Sequence, residues 1–553
     1  LTKRCDSAAE HQLLSRHGFD WLWCCHGASS RHFWPSDVPQ KHPLNTLYSD
    51  LLFTVQSRFV GRKAQIGRRI APFCHKRTRP TSRTEPDLGH RARPFRLDRK
   101  LSVSATTSST APAAPRNTRS RVILASLIGT TIEFYDFYVY ATAAVLVFPH
   151  LFFPSDNETT ALLASFATFG AAMLARPVGA IFFGHLGDRL GRKTTLVASL
   201  LTMGIATFLI GVLPTHAMVG AWAAVLLLLM RLTQGFAIGG EWSGAALVAT
   251  ENAPAGKRAW YGTFPQLGAP IGFIIANMLF FVINHVLADP ANPGQPSAAF
   301  LEWGWRIPFL FSAVMVIVGL WVRLKLVESN AFEESKRRGT VKRVPIAEAI
   351  KFHWRALILG TFAMLATYVL FYLMTSFTLT YGTRPGDAPV PGAGYTYNSF
   401  ILMLVFGVVF FGIFTLVSGP LADRFGRRRT LLVVTAAIAV FGLLFVPMLG
   451  GGSTPMVMFF LALGFTLMGL TFGPMGAFLP EMFPTNIRYT GSAVAYNMSS
   501  ILGAALAPIV AVWLWSVADG SPLYVGLYLS ASALVTFVAL LLTKETKDID
   551  IEA

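Results

Sequence analysis

The sequence predicts an all-α membrane protein with twelve transmembrane helices in two six-helix pseudo-repeats. Its composition is the first indication, because 53% of the 553 residues are hydrophobic and 14% are charged, with a mean hydropathy of +0.49. Soluble domains carry about a quarter charged residues, so this composition excludes a soluble globular protein, and it also excludes a disordered or disulfide-rich chain. The other two indications are regularly spaced apolar segments and a pair of charged motifs that occurs once in each half.

The first 115 residues differ from the rest of the chain. Residues 1–115 contain 19 of the 47 lysines and arginines and all four cysteines, and the first of the 16 methionines is Met173. No apolar segment in residues 1–100 is long enough to cross a bilayer. We therefore expect 1–115 to be a poorly structured basic segment, in which 1–100 precede the true start and translation begins near Leu101–Val103. The alternative is a basic arm that binds nucleic acid or lipid.

Twelve apolar segments of about 20 residues or more follow Arg121, and each can cross a hydrocarbon core about 30 Å thick. The expected spans are residues 122–148, 159–183, 195–213, 218–243, 260–287, 305–327, 356–380, 398–420, 430–449, 455–480, 489–517 and 522–543. An even number of spans places both termini on one side. That side holds 24 lysines and arginines and the other side two, Arg306 and Arg384, so the positive-inside rule predicts cytoplasmic termini. Most of the positive charge therefore reflects membrane topology, and we expect no nucleic-acid partner.

A polar segment between the sixth and seventh spans divides the membrane part into two halves. We predict a six-helix bundle at residues 116–327, a cytoplasmic central loop at 328–355, a second bundle at 356–545 and a cytoplasmic tail at 546–553. A Gly-x-Leu-x-Asp-Arg-x-Gly-Arg motif follows the second span of each half, and a Glu-x-x-Pro-x-x-x-Arg motif follows the fourth. Repeated halves with a binding site between them are typical of secondary transporters.

The repeated loop motif resembles the loop signature of the major facilitator superfamily, and the segment Arg231–Glu241 is similar to the fourth-helix motif of that superfamily. Three further stretches resemble the metabolite:proton symporter family, whose members carry shikimate, dicarboxylates, citrate, proline or betaine. They are Glu133–Tyr138 in the first span, Ala175–Gly179 in the second and Gly304–Phe309 at the start of the sixth. The resemblance covers about residues 121–545.

This resemblance implies a major facilitator fold and proton-driven symport of a small polar organic solute by alternating access. The implied location is the plasma (inner) membrane, and the implied partners are the solute, protons and the lipid bilayer. We expect a monomer that is not an enzyme and that uses no cofactor and no metal, because the proton gradient supplies the energy. The alternatives are an antiporter or exporter of the same superfamily and a non-transporting membrane receptor on the same fold.

Two carboxylates lie near the middle of the first span. Glu133 and Asp136 follow Arg121 by 12 and 15 residues, which places them about 18–22 Å into the helix at 1.5 Å per residue. Their i, i+3 spacing puts both on one face, and Tyr140 extends that face. An ionisable group at this depth costs about 2.5–3.5 kcal/mol unless it is paired, so we predict that these residues accept protons or contact the solute. A fixed ion pair that packs the bundle is the alternative.

Arg231 lies about 13 residues into the fourth span, with Gln234 one turn further and Glu241 on nearly the same stripe. It is the natural counter-charge for Glu133 and Asp136, and protonation of a carboxylate would break such a pair. The resemblance gives this arginine a part in proton coupling. A static bridge between the first and fourth helices is the alternative.

Several other polar residues occur within or next to the spans. Tyr368 and Tyr372 in the seventh span and Asn497 in the eleventh are candidates for a cavity wall, although packing explains the pattern equally well. Arg176 lies eight residues before the first loop motif, so we expect its side chain to reach the cytoplasmic surface and to serve structure. Arg323 belongs with the cytoplasmic charges at the end of the sixth span.

The two loop motifs contain an aspartate as well as basic residues, whereas anchoring at the cytoplasmic surface needs only lysine and arginine. The resemblance implies that they form a cytoplasmic gate by contacting helix ends across the two halves. The predicted gate residues are Gly184, Asp188, Arg189, Gly191 and Arg192 in the first half and Asp423, Arg424, Gly426 and Arg427 in the second, with Glu251, Arg258, Glu481 and Arg488 as partners.

Overall fold

The computed structural model describes residues 119–190, 192–239, 241–290, 296–324, 345–451, 453–485 and 487–549. These residues form helices joined by loops, with no β-strand among them. The predicted basic segment 1–115 with its predicted start site, and most of the predicted central loop, lie outside the described residues.

Twelve long helices make up the described part of the chain. They are α1 (Arg119–Leu146), α2 (Glu158–Leu190), α3 (Arg192–Val212), α4 (Trp222–Glu251), α5 (Arg258–Val286), α6 (Phe300–Leu324), α7 (Ala349–Thr383), α8 (Tyr397–Phe425), α9 (Arg427–Gly442), α10 (Thr454–Glu481), α11 (Arg488–Val517) and α12 (Leu523–Leu542). Each corresponds to one predicted span, with shifts of a few residues at the ends. The predicted all-α fold with twelve helices is confirmed.

Ten of the described helices are long and apolar enough to cross a membrane. The remaining two long helices, α1 and α9, differ from these ten in composition or in length. Helix α1 carries Glu133 and Asp136, and α9 has 16 residues before its chain continues into a π-helical turn at Phe445–Gly450. The two short helices Phe148–Leu151 and His216–Val219 belong to the connections after α1 and α3.

Helices α4, α5, α7 and α11 are irregular within the membrane part, as is α6, which begins with the π-helical turn Phe300–Gly304. Helix α4 is interrupted after Ile238, next to a glycine pair, and α5 is interrupted at Leu267, two residues after Pro265. Helices α7 and α11 contain π-helical turns at Leu373–Phe377 and Ser500–Ala505. Proline and glycine weaken the helical hydrogen-bond ladder, and π-turns are frequent at functional sites. The irregular helices are therefore candidates for lining a binding site.

The helix that leads into α7 begins at Pro345, within the segment 328–355 that the sequence predicts as a loop. Its backbone departs from helical geometry at His353, where φ is −124° and ψ is 23°. Proline is favourable in the first turn of a helix, since its missing N–H has no partner there. The membrane-crossing part then runs from Ala349 to Thr383.

Closely packed glycines set the distance between α2 and α4. A Cβ atom at Gly235 would lie 1.9 Å from the carbonyl oxygen of Ala172, and one at Gly239 would lie 2.0 Å from that of Arg176. Small residues spaced by four let two membrane helices approach closely. The second half repeats this arrangement, because Gly469 and Gly473 of α10 pack on the backbone of α8. The two halves thus share a packing device as well as sequence motifs.

The two halves meet along two lines of contact. Helix α5 packs against α8 and α10, and α2 packs against α11. Helix α1 also approaches α7 across the centre, where Phe134 and Tyr138 contact Phe371. The residues between these lines therefore lie at the interface of the halves.

Candidate transport site and gates

A small cavity lies between the two halves, beside α1. Its wall consists of Glu133, Phe134 and Phe137 of α1, Arg176 of α2, Met364, Thr367, Tyr368, Phe371 and Tyr372 of α7, Met468 and Phe472 of α10, and Tyr496 of α11. Glu133 and Arg176 are the charged residues in this wall. The structure places the predicted Tyr368 and Tyr372 here as well, and the wall is otherwise apolar or carries hydroxyl groups. Both halves thus contribute to one enclosed space.

The two carboxylates of α1 are buried, and neither forms an ion pair with the described residues. Glu133 is 4% exposed and Asp136 is 1% exposed. Within the described part of the chain, Oε2 of Glu133 and both carboxylate oxygens of Asp136 have no hydrogen-bond partner. Burial of an ionised carboxylate without partners is unfavourable, and a bound proton removes that charge. The position and environment of both residues suit groups that exchange protons.

Arg231 contacts an aromatic ring and neutral groups. Its Cζ lies 3.8 Å from the ring centre of Tyr140, and its guanidinium donates hydrogen bonds to Oε1 of Gln234 at 2.8 Å and to the carbonyl oxygen of Phe169 at 3.2 Å. The expected ion pair with the α1 carboxylates is absent among the described contacts of this conformation. Tyr140 lies on the same face of α1 as Asp136. Its ring occupies the position beside Arg231 that a paired carboxylate would need.

The buried ion pair in this region joins Glu241 of α4 to Arg323 of α6. Arg323 also donates a hydrogen bond to the carbonyl oxygen of Leu196 in α3, and both side chains of the pair are buried. The prediction that Arg323 lies among the surface charges is therefore wrong. Because α6 continues to Leu324, the arginine is still within the helix and is directed into the bundle.

Arg176 is the second arginine that sequence reasoning misplaced. Its side chain is buried in the cavity wall, with Cζ 5.3 Å from the ring centre of Phe137. The expected reach to the surface is wrong because α2 continues to Leu190, which lies about 20 Å further along the helix at 1.5 Å per residue. A side chain at that depth stays inside the bundle.

A layer of side chains from both halves separates the cavity from the loop motifs. Trp242 of α4 stacks on Tyr496 of α11, with ring centres 3.9 Å apart and planes 9° from parallel. Nε1 of Trp242 donates a hydrogen bond to Gln266 at 3.0 Å, and Gln266 donates one to the carbonyl oxygen of Phe472 at 3.0 Å. Sequence reasoning missed Trp242 and Gln266, because neutral side chains in an apolar span carry no charge signal.

Asn497, predicted as part of a cavity wall, instead bonds across the two halves. Its Nδ2 donates hydrogen bonds to the carbonyl oxygen of Gly239 at 2.7 Å and to that of Ala493 at 2.9 Å. Gly239 lies where α4 is interrupted, so its carbonyl oxygen is available to an outside donor. Asn497 thereby ties α11 to the break in α4.

The loop motif of the second half contacts the first half directly. The two carboxylate oxygens of Asp423 accept hydrogen bonds from the main-chain N–H groups of Ala259 at 3.0 Å and Trp260 at 2.9 Å. These N–H groups belong to the first turn of α5, where the helix dipole favours a negative charge. Asp423 also forms an ion pair with Arg427 at 3.2 Å, and Arg427 forms another with Glu481 at 3.2 Å. We call this end of the bundle the motif side.

The chain after α12 completes the contacts on the motif side. Oε1 of Glu545 accepts hydrogen bonds from the main-chain N–H groups of Arg427 at 2.7 Å and Arg428 at 3.3 Å, at the start of α9. The hydroxyl of Thr546 donates to Oε2 of Glu481 at 2.7 Å. Gly426, which separates α8 from α9, has a φ of 100° that favours glycine, and Glu545 lies directly beside it.

The same terminal residues also contact the first half. Arg258, at the start of α5, donates a hydrogen bond to the carbonyl oxygen of Ile549 at 2.7 Å. Lys547 donates one to the carbonyl oxygen of Arg424 at 3.0 Å. The segment 543–549 therefore joins α5, α9 and α10, a connection that the sequence motifs did not reveal.

Arg488 and Glu251 are two further predicted gate residues. Arg488 donates a hydrogen bond to the carbonyl oxygen of Phe483 at 3.2 Å, and Glu251 is exposed at the end of α4. For the first copy of the loop motif, Gly191 and the side chains of Asp188, Arg189 and Arg192 lie outside the described residues, as does the surrounding of Gly184. The role of that copy stays a prediction.

The opposite end of the bundle is also closed. Arg384, which follows α7, forms an ion pair with Glu158 of α2 at 2.8 Å. Asn284 of α5 donates a hydrogen bond to Asn398 of α8 at 3.0 Å. Both contacts join one half to the other. Contacts between the halves thus lie on both sides of the cavity in the same structure.

Two helical halves that surround a central cavity and touch at both ends are typical of a membrane transporter. The family and the relatives that follow are transporters and not enzymes. The chain belongs to the Major Facilitator Superfamily, whose family model matches residues 126–508 and 393–549. It is 54% identical over 434 residues to the Escherichia coli inner membrane metabolite transport protein YhjE, covering 78% of this chain and 96% of that protein.

Other relatives have more specific names. The chain is 36% identical to the shikimate transporter of Escherichia coli, covering 77% of this chain and 95% of that protein. It is 33% identical to the proline/betaine transporter of Salmonella typhimurium, covering 71% and 77%. Among solved structures it resembles the proton:xylose symporter XylE of E. coli, with a TM-score of 0.58 at 17% identity over 78% of this chain and 96% of that chain. The last likeness concerns the fold alone.

Proposed function

We propose that the protein is a proton-coupled symporter that moves a small polar organic solute by alternating access. The buried carboxylates of α1, which form no ion pair with the described residues, carry this proposal, and Glu133 lies in the cavity wall between the halves. The ionised form of such a group is unfavourable in apolar surroundings, whereas the protonated form is tolerated. A change in shape that alters these surroundings therefore takes up or releases protons.

The names of the relatives support the choice of solute and coupling. Shikimate, proline and betaine are small polar organic solutes, and the name of XylE states proton symport. We infer that the proton gradient drives this protein without a cofactor. We also propose the orientation that the basic residues predict, with both termini cytoplasmic in the inner membrane. A single chain suffices for function, because both walls of the cavity belong to it.

Uptake by proteoliposomes tests this proposal. Labelled shikimate, succinate, citrate, proline and glycine betaine would be offered with and without an inward proton gradient. We expect at least one solute to accumulate only when the gradient is present. Glu133→Gln or Asp136→Asn should abolish accumulation, because an amide cannot carry the proton, while exchange of internal for external solute persists. Glu302→Gln, at an exposed carboxylate, is the matched control.

Each alternative gives a different result. Accumulation driven by a proton gradient of the opposite direction would identify an antiporter, and binding without any movement of solute would identify a receptor. Loss of both accumulation and exchange in the two variants would give the carboxylates a binding or folding role. Full accumulation in both single variants and the double variant would remove them from the mechanism.

A further inference from the structure

Arg176 is a buried cation in the cavity wall that forms no close ion pair, although the carboxylate of Glu133 in the same wall attracts it. Its side chain is 5% exposed, it forms no ion pair with the residues that the structure describes, and its Nε has no hydrogen-bond acceptor. The Phe137 ring beside it offers only a weak, neutral contact. A guanidinium removed from water requires an anion with good geometry. Since Arg176 faces the cavity, a solute anion bound there would satisfy it once Glu133 is protonated and no longer supplies a negative charge.

The buried charges around the cavity indicate how many negative charges this anion carries. Glu133 and Arg176 lie in the cavity wall, and the described helices of the same half hold four more buried charged side chains, namely Asp136, Arg231, Glu241 and Arg323. Glu241 and Arg323 neutralise each other. The remaining two carboxylates and two arginines also sum to zero when all are ionised. One added proton therefore leaves one uncompensated positive charge, which a solute with a single negative charge would cancel.

Other solute classes leave the region charged. A zwitterion has no net charge, so the added positive charge would persist in apolar surroundings. A dicarboxylate needs a second cation, and Arg231 is not available for it. That guanidinium lies against Tyr140, Gln234 and the carbonyl oxygen of Phe169 and does not reach the cavity wall. One cavity arginine thus favours one carboxylate group.

The rest of the wall is apolar or carries hydroxyl groups. Phe134, Phe371 and Phe472 provide apolar faces. The hydroxyl of Tyr368 lies beside that of Tyr496 in the wall, and this pair offers hydrogen-bonding groups for a hydroxyl or carbonyl of a solute. Building on the function proposed above, we propose that Arg176 binds the carboxylate of the solute and that the solutes are monocarboxylates carried together with one proton.

Binding and uptake by the full chain test this inference. The monocarboxylates shikimate, lactate and benzoate would be compared with succinate, proline and glycine betaine, using ligand-induced thermal stabilisation and uptake under an inward proton gradient. We expect a monocarboxylate to bind most tightly, and its uptake to change less than about twofold when a potassium diffusion potential is applied, because the loaded carrier gains no net charge. Arg176→Gln should weaken its binding about tenfold or more, since a charged hydrogen-bond partner is lost.

Two further variants make the test specific. Arg176→Lys keeps the charge but loses the planar fork, so we expect an intermediate loss. Arg355→Gln, at an exposed arginine, should bind like the wild type. If Arg176→Gln fails to fold, the lysine variant and the selectivity of the wild type still decide the question.

Several results would overturn the inference. They are preferential binding of succinate, proline or betaine, no binding of any of the three monocarboxylates, unchanged binding by Arg176→Gln, or uptake that depends strongly on the membrane potential. Gradient-driven uptake of proline or betaine instead of a monocarboxylate would leave the proposed symport intact. Monocarboxylate binding without a response to the proton gradient would refute symport and retain the role of Arg176.

Discussion

Asp423, at the end of α8, caps α5 by accepting a hydrogen bond from the main-chain N–H of Trp260 at 2.9 Å. The two residues belong to different halves of the molecule. A helix of one half is therefore terminated by a carboxylate of the other, so that parting the halves on the motif side exposes unsatisfied N–H groups in the first turn of α5.

This relationship predicts the effect of Asp423→Asn. The amide keeps the size of the side chain but loses the negative charge and one of two acceptors, so Ala259 and Trp260 cannot both be satisfied. A lost helix cap typically costs ~1 kcal/mol, so we expect the conformation that is closed on the motif side to become roughly fivefold less populated. Solute turnover in proteoliposomes should slow, with affinity within a few-fold of the wild type. Asp387→Asn, at an exposed aspartate, is the control, and a collapse of affinity at normal turnover would assign Asp423 to binding instead.

Glu545 should protect the first turn of α9 from hydrogen exchange. Its carboxylate accepts hydrogen bonds from the main-chain N–H groups of Arg427 and Arg428. These N–H groups have no other partner within the helix. We expect Glu545→Ala to raise amide exchange in this turn by about tenfold, measured by mass spectrometry. Asp548→Asn changes a neighbouring exposed carboxylate and should have no effect. Equal protection in both variants would show that the terminal segment does not stabilise α9.

Gly235→Ala should be strongly destabilising. The added methyl group would lie 1.9 Å from the carbonyl oxygen of Ala172, and backbone atoms cannot move away without separating α2 from α4. We expect a loss of roughly 1–3 kcal/mol or more in stability, seen as a lower unfolding midpoint in detergent. Gly451→Ala, where nothing lies within 4 Å of the added carbon, is the matched control. A wild-type midpoint for Gly235→Ala would contradict the close packing of these helices.

The ion pair between Glu241 and Arg323 should show strong coupling. Removal of one member leaves the other charge buried, so Glu241→Gln and Arg323→Gln should each reduce stability by about 3–5 kcal/mol. The double variant should lose clearly less than the two single losses combined, because neither charge then remains. Lys351→Gln, at an exposed position, controls for a simple change in net charge. Strictly additive losses would show that the two side chains do not stabilise each other.

The number and order of the helices could be predicted from the sequence, because a membrane span requires a long apolar segment whatever its neighbours are. The sequence also predicts the second loop motif as a gate, because anchoring at the membrane surface needs only basic residues and leaves Asp423 without a role. The structure places Asp423 against the opposite half. Glu133 and Asp136 were predicted as central because their depth follows from counting residues along one helix.

The partners of the buried arginines could not be predicted in this way. The sequence pairs Arg231 with the α1 carboxylates on sign and depth alone, whereas the structure gives it the ring of Tyr140. Arg323 was assigned to the surface because it lies near the end of an apolar segment, although its direction around the helix decides its environment. The approach of α4 to α2 depends on two glycines spaced by four, a pattern too common in membrane helices to identify one particular contact.

The contacts that close the two ends of the bundle differ in their exposure to water. Arg384 and Glu158 form their ion pair with 66% of the Glu158 side chain exposed, and such a pair contributes about 0–1 kcal/mol and is weakened by salt. Asp423, Arg427 and Glu481 are largely shielded, and the stacked rings of Trp242 and Tyr496 lie behind them. Without solute, the two halves should therefore separate more readily at the end of the bundle that contains Glu158. The predicted topology places this end outside the cell. Transporters without solute would then mostly be open to the external medium and would bind solute from it. The half-saturation of transport would therefore be set by the external solute concentration.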